Sequence, residues 1–526
     1  MEQMISGKSI ARSALVVMGA TLFSRLFGFL REMVIAGKFG LTGDTDAYLV
    51  AFTVPSTVAL AVAGAVSAGF IPVLNSYFVS GEREDANRIA NILINVISAA
   101  MLVLSVLAML NSRVLVSILA PGFEGDTAVL AADLIRIMFP AVIFVSLMGV
   151  ASGFLNSHQH FLFPALGPSI TSIVIIGAAL VLGPVMGIKG LAVGTMAGFA
   201  CQFLFQVPVM YRKGFRYRPD FAVMHPGVVR VFKLMVPVLA ASMAPPIMML
   251  FERGLASKLG EGSISALNYA YRLMQLPLGL FLMAVSVPLF PALSSFAARK
   301  EFSRLKETLI KGISVLAVIL IPASAGLIAL NVPIVRLLFE RGAFRAEDTV
   351  PTAYALAVYA VALLPLAVRD IFKRGFYALQ DTMTPVAVTA GALVINIGLD
   401  LALVRIMGIG GLALGAALSA LAEAAALYML LKGRLGGLPG KHFVVLLLKI
   451  TAASAVMGVL AYSAGGIIGA RIDLTGSTGR LIQVGISVAA GFLVYVAAVL
   501  LLRVQEVREA AGMLKGLIKK VTGRSA

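Results

Sequence analysis

Residues 186–194 read MGIKGLAVG, and residues 407–415 read MGIGGLALG, a near-copy in the second half of the chain. Three other pairs keep almost the same spacing: Pro164 with Pro385, GF at residues 153–154 with GF at residues 375–376, and FIPVL at residues 70–74 with LFPAL at residues 289–293. A membrane sequence rich in Gly, Ala and Leu can match itself once by chance, but chance does not explain four pairs in one register. The spacing therefore predicts an internal duplication, which is common among transporters.

The composition is that of an integral membrane protein. Of the 526 residues, 60% are hydrophobic and only 13% are charged, whereas soluble domains carry roughly 25% charged residues. A helix needs about 20 apolar residues to cross a hydrocarbon core about 30 Å thick. The apolar runs predict fourteen spans, at residues 10–36, 46–78, 86–111, 128–156, 159–182, 188–211, 229–257, 263–298, 308–335, 350–378, 384–406, 409–431, 443–468 and 480–502.

The duplication assigns six spans to each repeat. An even number of spans gives both copies the same orientation, so we expect two lobes related by a pseudo-two-fold axis along the membrane normal, with a central cavity between them. The predicted organisation is an N-lobe at residues 1–220, a C-lobe at residues 221–440, and a C-terminal part at residues 441–526 that holds the last two helices. The predicted fold class is therefore all-α and integral to the membrane.

The charge distribution predicts the orientation. The net charge is +18, and Lys and Arg are concentrated in the loops on the side of both termini. The positive-inside rule places that side in the cytoplasm. The tail at residues 513–521 is basic and amphipathic, so we expect it to lie on the inner leaflet, with membrane lipid as its partner. The excess charge is explained by topology, and no soluble basic domain indicates nucleic-acid binding.

Charged side chains at membrane depth mark the first span. A charge at the bilayer centre costs about 2.5 to 3.5 kcal/mol, and residues 24–32 read SRLFGFLRE. Arg25 and Glu32 are seven residues apart and share a helix face, whereas Arg31 lies off that stripe. Arg272 is at similar depth in the eighth span. Three guanidinium groups with one carboxylate leave positive charge, and their forked geometry suits an anion of the pyrophosphate type.

Two alternatives concern the outer end of the first span. Arg31 can instead snorkel to the membrane surface while Glu32 balances Arg25. Asp44 and Asp46, in the first outer loop, read most simply as N-caps of the second span. The sharper interpretation gives Asp46 a gating contact with Arg31.

Oxygen-bearing side chains form a second set. Glu252 lies in the seventh predicted span, and Asn396 and Asp400 lie four residues apart on one face of the eleventh. Two carboxylates and an amide oxygen suit sodium or a proton relay, since hard cations prefer oxygen ligands. The alternative pairs Glu252 with Arg253 at a helix end and leaves Asp400 as a local cap or ion-pair partner.

Other functional classes find little support in the sequence. The single Cys201 excludes an intramolecular disulfide, and four scattered histidines form no ligand cluster. No Walker motif indicates direct coupling to ATP, so no cofactor is expected beyond a coupling sodium ion or proton. A membrane glycosyltransferase would need acidic motifs in sizeable loops, which the chain lacks, so we predict no enzyme activity. A cation-coupled drug exporter stays an alternative.

Several stretches follow one family pattern in order along roughly the first 440 residues. They are residues 24–32, FG at 39–40, TDAY at 45–48, GFIPVL at 69–74, YRLMQLPLG at 271–279, LFERGAF at 338–344 and FYALQDTMTP at 376–385. These stretches resemble the lipid II flippases of peptidoglycan synthesis, the MurJ/MviN type, and the ERGAF piece is the most specific. The chain departs from the family pattern at two places. LAVAGA at residues 60–65 is uncharged where many members carry arginines and a glutamate, and Glu32 replaces the usual aspartate.

The resemblance implies a member of the multidrug/oligosaccharidyl-lipid/polysaccharide exporter superfamily in the bacterial cytoplasmic (inner) membrane. It implies alternating-access transport of lipid II, an undecaprenyl-pyrophosphate-linked disaccharide peptide, with the last two helices forming a groove for the polyprenyl tail and with cell-wall synthesis proteins as partners. The implied residues are Ser24, Arg25, Arg31 and Arg272 for the substrate, Glu32 and Asp46 for gating, and Glu252, Asn396 and Asp400 for sodium or a proton. A flippase for another undecaprenyl-linked glycan is the alternative within this class.

Overall fold

The computed structural model describes residues 7–438, 441–504 and 506, and these residues form helices with no β-strand among them. The predicted basic segment at residues 513–521 lies outside the described residues. The α-helices are Gly7–Phe39 (α1), Gly43–Ser80 (α2), Arg83–Leu110 (α3), Ser112–Leu119 (α4), Gly125–Met138 (α5), Ala141–Ser157 (α6), Leu162–Val181 (α7), Gly183–Met186 (α8), Ile188–Arg212 (α9), Pro226–Ser242 (α10), Ala244–Ala256 (α11), Ser263–Ala298 (α12), Phe302–Ala329 (α13), Asn331–Phe339 (α14), Ala346–Ala360 (α15), Leu363–Ala378 (α16), Met383–Met407 (α17), Ile409–Arg434 (α18), Lys441–Arg471 (α19) and Ser477–Leu501 (α20).

The helices have the length and composition of membrane spans. Among the described residues, eleven helical segments are long and apolar enough to cross a membrane, or twelve if α15 and α16, which meet at 41°, form one bent span. The two other predicted spans correspond to α1 and to the pair α10 and α11. The prediction of an all-α, multi-pass membrane protein is confirmed.

The predicted span at residues 229–257 is wrong as a single helix. It is broken at Met243, where α10 has ended and α11 has not begun. Two prolines follow at positions 245 and 246, and proline lacks the N–H group that would continue the hydrogen-bond pattern of α10.

The chain forms two compact units, Met1–Ser265 and Ala266–Ala526. In the first unit, α2 packs against α6 and α10, while α7 packs between α1 and α9. In the second unit, α17 packs against α18, and α13 packs against α16 and α19. The lobe boundaries at residues 220 and 440 stay a prediction from the repeat.

The two copies of the repeat share unusual backbone conformations. Gly187 before α9 has φ +58° and ψ −141°, and Gly408 before α18 has φ +57° and ψ −130°. Such values are accessible to glycine and strained for other residues. Gln159 and Gln380, which are separated by the same spacing as these two glycines, both adopt left-handed φ values, of 59° and 60°. Agreement at two separate turns supports the duplication.

The C-terminal helices are joined to the second unit by polar contacts. Arg480, in the first turn of α20, lies 2.9 Å from a carboxylate oxygen of Glu340 and also donates to the Glu340 carbonyl. The Tyr495 hydroxyl donates to the Val318 carbonyl of α13 at 2.6 Å. Glu340 belongs to the ERGAF motif, so this motif anchors α20 to the loop that follows α14.

Candidate functional site

Arg31 and Glu32 form an ion pair inside the first helix. The Arg31 Nη2 and Glu32 Oε1 atoms are 2.6 Å apart, with side chains 14% and 4% exposed. Arg31 lies eight residues before the end of α1 at Phe39, or about 12 Å along the axis. Glu32 therefore pairs with Arg31, its neighbour on the same helix, and the level of this pair relative to the membrane surface stays a prediction.

The other predicted residues of α1 have different surroundings. Arg25 is exposed and makes no ion pair with any residue that the structure describes. The Ser24 hydroxyl lies 2.7 Å from that of Ser169 and donates to the Ala165 carbonyl at 2.9 Å. Ser24 thus joins α1 to α7, and its predicted substrate contact stays a prediction.

Asp46 caps a helix other than its own. Its carboxylate accepts from the backbone N–H groups of Gly262 and Ser265, at 2.8 and 2.7 Å, and from the Ser265 hydroxyl. These donors surround the start of α12, whose positive dipole end favours a carboxylate. Arg272 lies nine residues into α12 and is half-buried.

The prediction that Asp44 and Asp46 cap the second span is wrong. α2 begins at Gly43, and its N-cap is Thr42, whose hydroxyl accepts from the backbone N–H of Thr45. The two aspartates fall inside the first turn, where their charge still favours the helix dipole. Asp46 is left to bind the N-terminus of α12.

α11 is anchored to α2 by a buried arginine. The Arg253 guanidinium donates to the Leu49 carbonyl, and the Arg253 side chain is almost completely buried. The neighbouring Glu252 is half-buried on the same helix. Nearby on α2, the Tyr48 hydroxyl lies 2.8 Å from the Thr195 hydroxyl of α9. α2 is thus held on one side by α9 and on another by α11.

Asn396 and Asp400 lie together on α17. The Asn396 Nδ2 group donates to Asp400 Oδ2 at 3.1 Å, and the two residues are 5% and 0% exposed. Gly415 on α18 faces the carboxylate, and a methyl group there would collide with Asp400 Oδ1. The absence of a side chain at Gly415 leaves room for the acid. Glu252 belongs to the first unit and these two residues to the second.

The structure contains a buried ionic cluster that the sequence analysis missed. Glu423 of α18 is 3% exposed and lies 2.7 Å from Lys373 Nζ and 3.1 Å from Arg369 Nη1, both on α16. The Thr389 hydroxyl donates to the same carboxylate at 2.6 Å. A carboxylate inside a predicted span is the signal that could have found it, since ionisable residues at membrane depth need partners.

Two equivalent turns outside the membrane spans carry opposite electrostatics. Burial, with a smaller effect of the Lys213 charge, lowers the pKa of His160 below its usual 6.5. At the equivalent position of the second copy, hydrogen bonds from Thr384 lower the pKa of Asp381, which also pairs with Arg434 at 2.6 Å. One turn therefore favours a neutral side chain and the other a charged one.

The buried polar side chains of α17 offer oxygen atoms as ligands for a cation. Within the described part of the chain, no group of three or more His, Cys, Asp or Glu residues could hold a metal ion. Asn396 and Asp400 are two buried oxygen donors side by side, and such donors fit a hard cation that takes its remaining ligands from backbone or water.

Sequence comparisons connect this arrangement to known transporters. The family model described as "Lipid II flippase MurJ" matches residues 35–471. The lipid II flippase MurJ of Burkholderia cenocepacia is 33% identical over 81% of this chain and 84% of its own length. A probable lipid II flippase MurJ of Vibrio cholerae is 31% identical over 80% of this chain and 82% of its own.

Structure comparisons agree with the sequence matches. A solved lipid II flippase MurJ in an inward closed conformation matches with a TM-score of 0.78 and 26% identity, over 93% of this chain and 98% of that one. An inward-facing multidrug resistance MATE transporter matches with a TM-score of 0.69 at 16% identity, over 80% of this chain and 98% of that one, and shares the fold. The family model covers most of the chain, and the relatives align over most of their own lengths. The chain belongs to the lipid II flippase MurJ family.

Proposed function

We propose that the protein moves lipid II from the cytoplasmic to the outer leaflet of the inner membrane by alternating access, without making or breaking bonds. The observation that carries the proposal is the unbalanced charge of α1. Glu32 pairs with Arg31 at 2.6 Å, and Arg25 makes no ion pair with any described residue. Guanidinium charge at membrane depth is costly unless a cavity or ligand compensates it.

The cargo that suits this charge is an anionic pyrophosphate headgroup. Arg25, Arg31 and Arg272 offer forked donors for phosphate oxygens, while the polyprenyl chain stays in lipid beside α19 and α20. A lipophilic drug cation would be repelled by the same charges. Both termini lie in the cytoplasm in this proposal, as the positive loops indicate.

The carboxylates Glu32 and Asp46 are proposed to act in gating. Asp46 binds backbone N–H groups at the start of α12 at 2.7 and 2.8 Å, and both Asp46 and Ser265 are buried, so water does not compete for this contact. Asp46→Ala removes the acceptor, whereas Asp46→Asn keeps an oxygen without the charge. We expect the alanine variant to lose outer-leaflet delivery of lipid II and the asparagine variant to retain part of it.

A coupling cation is proposed at Asn396 and Asp400, and a role for Glu252 of the first unit stays a prediction from the sequence. Sodium or a proton bound there would reset the empty carrier, which requires different affinities in the two conformations. The Asp400→Asn variant should bind lipid II normally but cycle slowly, and added sodium should not restore its rate. A variant that transports at the normal rate would show that the acid has no coupling role.

The decisive test of the cargo is rescue of a flippase-depleted bacterium, with outer-leaflet lipid II measured directly. Arg25→Ala, Arg31→Ala and Arg272→Ala should each abolish rescue with normal membrane insertion, and lysine should restore only part of it. Arg136→Ala is the matched control, because Arg136 lies in α5 and pairs with Asp133 at 3.2 Å.

Binding separates the flippase from a drug exporter. Purified protein should bind a lipid pyrophosphate, and Arg272→Ala should weaken that binding. Full rescue by the three alanine variants would remove the role of the arginines. Tight binding of a lipophilic cation that survives Arg272→Ala, with no pyrophosphate binding, would overturn the proposed cargo.

A further inference from the structure

A linker held in an extended path crosses one side of the first unit. Residues 213–225, which we call the strap, connect α9 to α10. Asn87, Asn91 and Asn95 are spaced four residues apart on α3, so they share one helix face. Their Nδ2 groups donate to the carbonyls of Gly214, Arg216 and Asp220 at 3.2, 2.9 and 2.9 Å.

Three more contacts fix the strap in place. Asn91 Oδ1 accepts from the Arg218 backbone N–H at 3.1 Å, and Asn95 Oδ1 accepts from the Tyr217 hydroxyl at 2.8 Å. Asp220 pairs with Arg88 at 2.7 Å, and this hydrogen bond lowers the pKa of Asp220, which stays charged. The strap is therefore ordered before any ligand arrives, which lowers the entropic cost of binding.

Between the strap, α3 and α9 lies a mostly apolar crevice of about 450 Å³. This volume is within the range of about 300 to 1,000 Å³ that is typical of sites for small ligands. The residues that matter for its shape are Ala99 on α3, Phe203, Leu204 and Val207 on α9, and Tyr217 and Phe221 on the strap.

The crevice opens toward lipid. Leu204 and Phe221 are 56% and 64% exposed, which is expected for apolar side chains that face hydrocarbon. Leu102 and Val106 continue from Ala99 along the same face of α3 and are also exposed. Aromatic side chains such as Tyr217 are typical of the level where the hydrocarbon meets the headgroups.

Basic residues neighbour the crevice in the sequence, next to its lining residues Tyr211, Phe215 and Tyr217. Arg212, Lys213, Arg216 and Arg218 are exposed and make no ion pair with any described residue. The one acid of the strap, Asp220, is already paired with Arg88. Basic side chains near a membrane surface attract anionic lipid headgroups by about 1 kcal/mol each.

We propose that the crevice binds one acyl chain of an anionic phospholipid, with its phosphate held by the arginines of the strap. The apolar, lipid-facing wall selects a membrane lipid, and the exposed basic residues of the strap select a negative headgroup. This site is separate from the proposed cargo residues, and the proposal does not depend on transport.

The chain contains no tryptophan, so a single introduced tryptophan reports from one place. Phe221→Trp places it at the crevice, and Phe492→Trp on α20, where Phe492 is 62% exposed, is the matched lipid-facing control. Each variant is reconstituted in phosphatidylcholine vesicles that contain dibrominated phosphatidylglycerol or dibrominated phosphatidylcholine as quencher. We expect phosphatidylglycerol to associate at least about fivefold better than phosphatidylcholine at the crevice tryptophan, and equally at the control tryptophan.

Two changes to the crevice variant separate its charge from its shape. Arg216→Gln and Arg218→Gln should each lower the preference for phosphatidylglycerol by up to about fivefold. Ala99→Phe should fill the crevice and reduce quenching by both lipids, with an unchanged unfolding midpoint. The arginine variants keep the test decisive if the phenylalanine variant does not fold, because both side chains are exposed.

Three outcomes would overturn the proposal. Equal lipid ratios at the two tryptophans would mean that no selective site exists. A preference that survives Ala99→Phe in folded protein would place the lipid on the surface rather than in the crevice. Displacement of the quencher by equimolar undecaprenyl phosphate would make the crevice a site for the polyprenyl cargo.

Discussion

The helix pairs α7–α9 and α17–α18 occupy equivalent places in the two repeats, but they bury different polar groups. In the first pair, Thr171 donates to the Gln202 side chain and to the Gly198 carbonyl. In the second, Ser419 donates to the Ala392 carbonyl. Glu423, at the position equivalent to Gln202, forms ion pairs with a lysine and an arginine side chain. The copies share a backbone and differ in charge, which teaches that duplication supplied the scaffold and later substitutions supplied the chemistry.

The same contrast appears where the two helices of each pair come closest. Gly194 lies against the methyl group of Ala178, and Gly415 lies against the carboxylate of Asp400. Both glycines allow a close approach of neighbouring helices, as small residues do in membranes. Only the second copy uses that space for an acid.

Glu423→Ala should have the largest effect on stability. The substitution removes the carboxylate that pairs with Lys373 and Arg369. Loss of one partner of a buried ion pair costs about 3 kcal/mol of unfolding free energy. Gln202→Ala removes only neutral hydrogen bonds and should cost about 1 kcal/mol. Unfolding of both variants in detergent measures the difference, and equal losses would mean that the charge adds nothing to the scaffold.

Gly415→Ala and Gly194→Ala should each cost about 1 to 3 kcal/mol by overpacking. Adding Ala178→Gly should restore the Gly194 variant, because it removes the colliding methyl group. Asp400 cannot be removed in the same way without loss of the acid. We therefore expect only the Gly415 variant to change the cation dependence of transport, and an effect of Gly194→Ala on that dependence would contradict the assignment.

Gly187→Ala and Gly408→Ala should cost nearly equal amounts, about 1 to 2 kcal/mol, because both backbones are strained for a residue with a side chain. Thermal unfolding of the two single variants measures the costs. Unequal costs would show that the two copies differ in backbone flexibility as well as in charge.

The smallest effect concerns the paired turns at His160 and Asp381. Because the pKa of His160 is lowered in the folded state, the unfolded state binds more protons below about pH 6.5, and stability falls as the pH falls. From pH 7.5 to 5.5 the unfolding midpoint should drop by less than about 2 °C through this residue, and His160→Asn should abolish that part. The depressed pKa of Asp381 acts only below about pH 4, so Asp381→Asn should leave this pH dependence unchanged.

The duplication and the helical architecture were predictable because they follow from spacing and hydropathy, which are properties of whole segments. Sequence reasoning misassigns Asp46 because its partners, Gly262 and Ser265, lie in a distant part of the sequence. It overlooks Glu423 because the partners Arg369 and Lys373 lie on another helix, α16, about 50 residues earlier in the chain.

The family motif ERGAF shows the limit of pattern recognition. The motif identified the family, but its spacing does not predict that Glu340 binds Arg480 at 2.9 Å, 140 residues later. That contact depends on how α20 docks, and docking is a property of the folded chain. Chemistry carried by one helix can be predicted from the sequence, whereas chemistry shared by distant helices needs the structure.

The asparagines of α3 have a consequence for how the strap can change in evolution. They bind main-chain carbonyls, so most side chains between residues 213 and 221 are free to be replaced without loss of these bonds. Length is a different matter. Asn87 and Asn91 are four residues apart on a helix, a rise of about 6.0 Å. Their partners Gly214 and Arg216 are two residues apart in an extended segment, which spans about 6.6 Å. The two spacings therefore match. Insertion or deletion of a single residue there would displace every later bond, so among relatives the length of the strap should vary less than its side chains.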